Sequence, residues 1–381
     1  TTADPCDIQE RVARGIVDAL RVTLSSDEDA RLSARPVPDP RAAECLRLAR
    51  AGIMSFSQEG LDHALALLSE GIALVGENPH LFAGMGMVEF QRVNAGFEIR
   101  NPVRATERLN LARQWLGRAF SLDPELPDAH VAAAWLNLSN ADMKAGIQHA
   151  LRALRTEPNH VFAMVLLTVA FAALSRPEDL RQYAGRVKRI DPWDVWGVTT
   201  SGILASLDRD RAERDRQFAR AMNMAPNPML YAICGLTLAQ DGEIDRAMPV
   251  WARCTPDADD LGTQLCMAAL AANRGDPAPA RALAITRRNA PSISKDAQWT
   301  WMAAEVMTMA GERALAVATL AEAVQYGFWN PVMLEGRDAT LRSLHGEPGY
   351  SSLLAEARTR SEELDRMLRD GVSPSTLLDG S

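Results

Sequence analysis

The 381-residue sequence has few aromatics (6%), almost no lysine and no long unbroken hydrophobic stretch. Each shortage excludes something. Val-Ile-Thr-Tyr patches between turn signals are scarce, while Ala and Leu recur throughout, which favours helix over sheet. The 41 basic and 49 acidic residues give a formal charge of −8, with Arg scattered among acids and no basic block. A duplex-binding surface needs clustered cations to displace counterions, so nucleic acid is not an expected partner. The longest apolar run, Val161 to Leu174, has fourteen residues, short of the roughly twenty that a membrane helix needs. No membrane contact is therefore expected within this segment. The opening Thr1-Thr2-Ala3-Asp4-Pro5 has neither the basic start nor the apolar stretch of a signal peptide. The missing initiator Met suggests a processed or excised piece of a longer chain, in which a membrane segment could lie upstream.

Chemistry-bearing motifs are equally sparse. The cysteines are Cys6, Cys45, Cys234, Cys254 and Cys266, an odd number with no C-x-x-C pair, as expected for thiols in a reducing, cytoplasmic setting. Gly84-Met-Gly86-Met is half of a dinucleotide loop, but no strand precedes it; close helix packing explains it better. None of the six histidines pairs at a metal-binding spacing, although His130 and His160 open successive helices and could approach each other. No Ser motif resembles a nucleophile elbow. Neither a catalytic residue nor a metal or other cofactor is expected, and the chain reads as a non-enzyme.

What is present is a period. Pro124, Pro158, Pro192 and Pro226 are each separated by 34 residues, and Ser-Leu-Asp, Arg-Thr-Glu, Arg-Ile-Asp and Asn-Met-Ala precede them. Thirty-four residues is the length of a tetratricopeptide (TPR) unit, a helix–turn–helix. Its second helix carries a small, a large and a small residue before the proline. Here these are Ala112, Leu116, Ala119, then Gly146, Ala150, Ala153, and more loosely Leu180, Ala184, Val187. Arg214, Phe218, Ala221 follow, and Ala64, Leu68, Gly71 precede them; Ala247, Trp251, Cys254 and Ala316, Leu320, Ala323 extend the series. Spacings of four and three place each triplet on one helical face. Proline ends the helix because it lacks an N–H and restricts its predecessor.

The pattern predicts an all-α, right-handed TPR superhelix of seven or eight helix pairs over 41–328. An N-terminal helix (7–21, with Ile8, Val12, Ile16, Val17 and Leu20 on one face) and a linker occupy 1–40. A capping segment and tail fill 329–381. The pair at 257–291 fits least well. Asn94 to Pro102 reads as an insertion, because Pro79 and Pro124 are 45 residues apart.

The head, Asp7-Ile-Gln-Glu-Arg-Val-Ala-Arg-Gly-Ile-Val-Asp-Ala-Leu20, resembles a segment of bacterial multidomain regulators that joins a TolB-like domain to a TPR array. The tail resembles the same proteins through Gly327-Phe-Trp, Leu341-Arg-Ser-Leu-His-Gly-Glu-Pro348-Gly-Tyr350 and Leu353-Leu354. That resemblance implies a cap and a sensory or scaffolding module. It also implies an output domain outside this chain: a nucleotide cyclase, a winged-helix domain or a Ser/Thr kinase.

In such arrays, the first helix of each pair supplies the concave surface. Aligned on the prolines, the candidate groove residues are Met87 and Gln91, then Asp128, Val131, Trp135 and Ser139, then Phe162 and Val169, then Trp196 and Thr199. This set is mostly apolar and lacks the Lys and Asn of chaperone-type carboxylate clamps. Two readings are open. The groove could bury an apolar or amphipathic segment of a protein or peptide partner, with Trp135, Phe162 and Trp196 as anchors. Alternatively, the same positions are covered by the N-terminal helix or by tight superhelical winding. Self-association into a homo-oligomer, or a small-molecule pocket near 94–106, are further alternatives.

Overall fold

The computed structural model describes residues 36–255, 260–290 and 295–369, together with 11–12, 14–17 and 19. Of the expected N-terminal helix, the described residues are helical, with Val12 and Ile16 more than half exposed. Ile8, Leu20 and Cys6 lie outside the described residues, as do 22–35 of the linker and everything after Arg369.

Helices pair in chain order. Repeat 1 is α1 (Pro40–Met54) and α2 (Gln58–Val75); repeat 2 is α3 (Pro79–Asn94) and α4 (Pro102–Leu122). Repeats 3 and 4 are α5 (Pro127–Leu138) with α6 (Met143–Thr156), and α7 (Val161–Ala173) with α8 (Pro177–Ile190). Repeats 5 and 6 are α9 (Val195–Leu207) with α10 (Arg211–Met224), and α11 (Pro228–Gln240) with α12 (Ile244–Trp251). Repeats 7 and 8 are α13 (Leu261–Asn273) with α14 (Ala278–Asn289), and α15 (Ala297–Met309) with α16 (Arg313–Gln325). Two short helical turns over 333–344 and a last helix, α17 (Tyr350–Arg369), follow. There is no strand among the described residues, and no helix among them is long and apolar enough to cross a membrane.

The local chemistry explains the boundaries. Helices α4, α6, α8 and α10 each stop two residues before Pro124, Pro158, Pro192 or Pro226. Asn or Asp side chains accept the first free amides at many of the starts: Asn78 takes His80 and Leu81, Asp194 takes Gly197, Asn227 takes Leu230. Within α12, Pro249 removes a donor, and the helix ends at Trp251 after only eight residues.

The small–large–small triplets form the seams between helices. Ala112, Leu116, Ala119, Ala150, Ala153, Leu180, Ala184 and Val187 are all buried, as are Ala247, Trp251, Ala316, Leu320 and Ala323. At Gly146, an added Cβ would stand 2.5 Å from Leu138 Cδ2, so only glycine lets α6 lie this close to α5. This is the architecture of an all-α TPR solenoid, with eight helix pairs.

From α3 onward, the first helices of the pairs are buried well beyond one face. In α11, every residue from Met229 to Gln240 is buried. A free-standing helix pair would bury one face only, so something covers the concave side. The cover is the array itself. Phe56, in the α1–α2 turn, meets Trp196 of repeat 5. The segment at 95–101 packs inward through Ala95 and Ile99, and the Ala95 carbonyl accepts the Leu261 amide of repeat 7 at 3.1 Å. Ser139 donates to Asp296 across 157 residues of chain (3.3 Å), and Asn330 donates to the Ala172 carbonyl at 2.9 Å. The superhelix therefore winds tightly enough for its ends and middle to touch.

Candidate functional site

The concave face stays open among the first repeats. A mouth of about 330 Å³ lies among the first helices of repeats 1 to 4. Helix α1 contributes Leu46, Arg50, Ile53 and Met54; α3 contributes His80, Ala83, Gly84 and Met87. Asp128 and Val131 come from α5, and Glu157, Asn159, His160, Val161 and Phe162 from the α6–α7 turn and the start of α7. The wall is apolar, with one polar cluster set into it.

Asp128 is the centre of that cluster. Arg50 Nη2 approaches its Oδ2 at 2.5 Å and His80 Nδ1 the same oxygen at 3.5 Å, while His160 Nε2 meets Oδ1 at 3.3 Å. The Ala163 amide donates to His160 Nδ1 at 3.3 Å, so the ring proton of a neutral His160 sits on Nε2 and points at Asp128. Burial alone would raise the Asp128 pKa. Hydrogen bonds from His160 and His80 and the Arg50 charge outweigh it, and the carboxyl is held well below the usual carboxylate range. Both of its oxygens are engaged, and the lining holds no Ser, Thr, Cys or Lys. The mouth thus offers an apolar wall with a fixed charge cluster set into it.

The candidate groove residues divide into groups. Met87, Asp128, Val131 and Phe162 meet at the mouth. Trp135, Phe162, Val169, Trp196 and Thr199 surround a separate internal space of about 60 Å³, closed by Phe56 and Trp299. Trp135 stacks obliquely between Phe90 and Phe162, with centroids 6.3 and 5.9 Å away. Gln91 is completely buried and accepts from Asn94 at 3.1 Å; Ser139 is buried on Asp296. A continuous open groove along repeats 2 to 5 is therefore not what the structure shows. Gln91, Val131, Ser139 and Thr199 are each 2% exposed or less, and Ser139 is pressed against Asp296 of the opposite turn.

The residues of repeat 1 were not in that set. Pro79 falls three residues late relative to the later prolines, so the phase of α1 could not be transferred from them. The apolar residues Leu46, Ile53 and Met54 at helical spacing were the available signal.

His130 does not meet His160. Its Nδ1 lies 2.9 Å from Nδ1 of His149 in the same repeat. Burial first, then the His130 neighbour, lowers the His149 pKa to about 4. No group of three or more candidate metal ligands occurs among the described residues. Cys45, Cys234, Cys254 and Cys266 are buried free thiols, and burial pushes Cys234 up to about 12.

No family model and no curated protein matches this chain. Solved structures do. A tetratricopeptide repeat protein from Parabacteroides merdae ATCC 43184 is 13% identical, with 72% of this chain and 100% of that one covered and a TM-score of 0.40. Yeast Tom70 is 12% identical over 83% of this chain and 67% of its own, also at 0.40. The TPR domain of P58(IPK) is 13% identical over 89% and 98%, at 0.21. The eight helix pairs, not these distant likenesses, define the fold.

Proposed function

We propose that the chain is a protein-interaction scaffold that takes an apolar anchor of a partner segment into the mouth between repeats 1 and 4. The observation that carries this reading is the mouth itself: an open, largely apolar concavity among the first helices of repeats 1 to 4. Leu46, Ile53, Met54, Met87, Val131 and Phe162 supply the apolar wall. Its volume of about 330 Å³ is at the low end of ligand pockets. It suits one or two anchoring side chains presented by an amphipathic turn, not a whole helix laid along the array. The Asp128 cluster keeps the wall in shape and confronts a partner with buried charge that an incorrectly placed apolar group would have to desolvate. The resemblance of the head and tail segments supports a further step: the scaffold is the regulatory part of a bacterial signalling protein whose output domain lies outside this chain.

A decisive test uses Met54→Glu, which puts a charge on the apolar wall at a half-buried position. A partner isolated on the wild-type chain should bind this variant at least about tenfold more weakly, with helicity unchanged. Equal affinity for both proteins would remove the mouth from consideration.

The exposed Val12 and Ile16 favour a second reading, in which the N-terminal helix pairs two copies and brings output domains together. Sedimentation across a hundredfold range of concentration separates the two, since a strict monomer excludes self-association.

A further inference from the structure

A second cleft, of about 350 Å³, opens where repeats 5 and 6 meet the turns at 333–344. Arg209 and Arg211 line one wall, Arg337 and Arg342 the other, with Ser206, Gln240, Asp241 and Gly336 between them. In a chain of net charge −8, four guanidiniums around one cleft call for an account of where their charge goes.

The neighbouring carboxylates are already committed. Asp241 pairs with Arg337 at 2.7 Å and with the buried Arg214. Glu243 pairs with Arg211 and Arg214, each at 2.9 Å, and with Arg246 at 2.5 Å. Asp215 pairs with Arg214 and Arg246, and Asp208 is held by Arg181. Arg342 donates from Nε to the Gly336 carbonyl at 3.2 Å. Among the described residues, Arg209 and Arg342 have no carboxylate partner. Arg337 Nε is buried without a hydrogen-bond partner.

Beside the cleft lies an apolar space, the annex. It measures about 70 Å³, shares Ser206, Gln240 and Arg337 with the cleft and runs inward between Val169, Ile203, Leu207, Phe328 and Met333. It is about half the size of the roughly 150 Å³ cavity that admits benzene, so it has room for a chain of a few carbons.

We propose that this cleft binds a small phosphomonoester carrying a short aliphatic group. The phosphate sits between Arg209 and Arg342, above Arg337, and the ester chain enters the annex. Two guanidiniums without carboxylate partners match the two charges of a phosphomonoester; a carboxylate would leave one uncompensated. The planar guanidinium fork also fits phosphate oxygens two at a time. Because the cleft joins the turns at 333–344 to repeats 5 and 6, an occupant would tie the C-terminal segment to the array. This site is independent of the mouth at repeats 1 to 4.

The test is calorimetric titration of the full chain with n-butyl phosphate, inorganic phosphate and butyrate. Butyl phosphate should bind most tightly, about tenfold or more ahead of inorganic phosphate, since each methylene buried in an apolar pocket adds a substantial factor, and butyrate should bind most weakly. The double variant Arg209→Gln, Arg342→Gln should lose about tenfold or more in affinity for butyl phosphate. Both side chains are exposed, so helicity and melting temperature should stay as in the wild type. Rising salt should weaken binding to the wild type. No binding of butyl phosphate at millimolar concentration, equal binding by the double variant, or butyrate binding as tightly as butyl phosphate would each overturn the proposal. Equal affinity for inorganic and butyl phosphate would overturn the role of the annex.

Discussion

Phe56 stands edge-on to Trp196, ring centroids 4.8 Å apart and planes at 65°, although 140 residues of chain separate them. This contact joins the turn of repeat 1 to the first helix of repeat 5. It makes the solenoid something other than a one-dimensional stack, in which each repeat touches only its neighbours. Phe56 also has a φ of 50°, a left-handed conformation that costs a non-glycine residue roughly a kcal/mol or more and that the packing must offset. Phe56→Ala and Trp196→Ala should each lower stability by about 2–4 kcal/mol. In a double-mutant cycle, they should couple by about 0.5–1.5 kcal/mol. Additive effects in urea melts would mean that the rings pack independently.

Arg214 occupies a slot that is small in most repeats and is completely buried. Burial alone would favour its neutral form, but Glu243, Asp215 and Asp241 together push its pKa above the ordinary arginine value. Arg214→Ala would leave Asp241 and Glu243, both about nine-tenths buried, short of a counter-charge. A loss of about 3–5 kcal/mol is expected, read as a lower midpoint in urea. Arg214→Lys should recover only part of it, because an ammonium cannot span three carboxylates in the guanidinium plane. A loss below about 1 kcal/mol for Arg214→Ala would show that the carboxylates find other partners.

His149 has a folded pKa of about 4, below the unfolded value of about 6.5. Between those values the unfolded chain takes up a proton that the folded chain resists. Stability is complete above about pH 6.5 and falls as pH drops towards 4. His149→Gln, which can still meet His130 with an amide, should show a smaller fall in melting temperature between pH 7 and pH 5 than the wild type. Parallel profiles for the two proteins would contradict the assignment.

Asp296 has the opposite sign. Burial pushes it up to about 6, against hydrogen bonds from the Trp299 and Gln298 amides and Ser139, whereas an unfolded Asp titrates near 3.9. Its contribution is most favourable below about pH 4 and is lost as pH rises to 6. Asp296→Asn keeps an acceptor for the Trp299 amide, which Asp296 holds at 2.9 Å, and removes the buried charge. The variant should be more stable than the wild type by about 1–3 kcal/mol at pH 7.5, with the difference closing near pH 4. A variant less stable at pH 7.5 would show that the charge is compensated in place.

Much of the architecture was legible because its causes are local and repeated. The prolines at 124, 158, 192 and 226 stop helices wherever they occur, and each small–large–small triplet makes one seam with its neighbour. Repeat 7 was the hardest to read because Arg287, nearly fully buried, stands where a small residue is expected. The concave surface was read only in part. Repeat phase places Trp135, Phe162 and Trp196 on the inner face, and inward in this protein means towards the opposite turn of the superhelix, where Trp196 meets Phe56. His130 was matched to His160 by repeat position, whereas side-chain reach joined it to His149.

The sequence by itself determined the repeat: a 34-residue period, helix ends at proline, and apolar faces that must stack because no pair can bury its own. How far each repeat rotates on the last was decided only by the tertiary structure. Small rotations at each seam accumulate over four or five repeats until Phe56 reaches Trp196, Ala95 reaches Leu261 and Ser139 reaches Asp296. No local pattern records that sum, and it is the sum that fills the concave surface and leaves a mouth at one end and an arginine-lined cleft at the other.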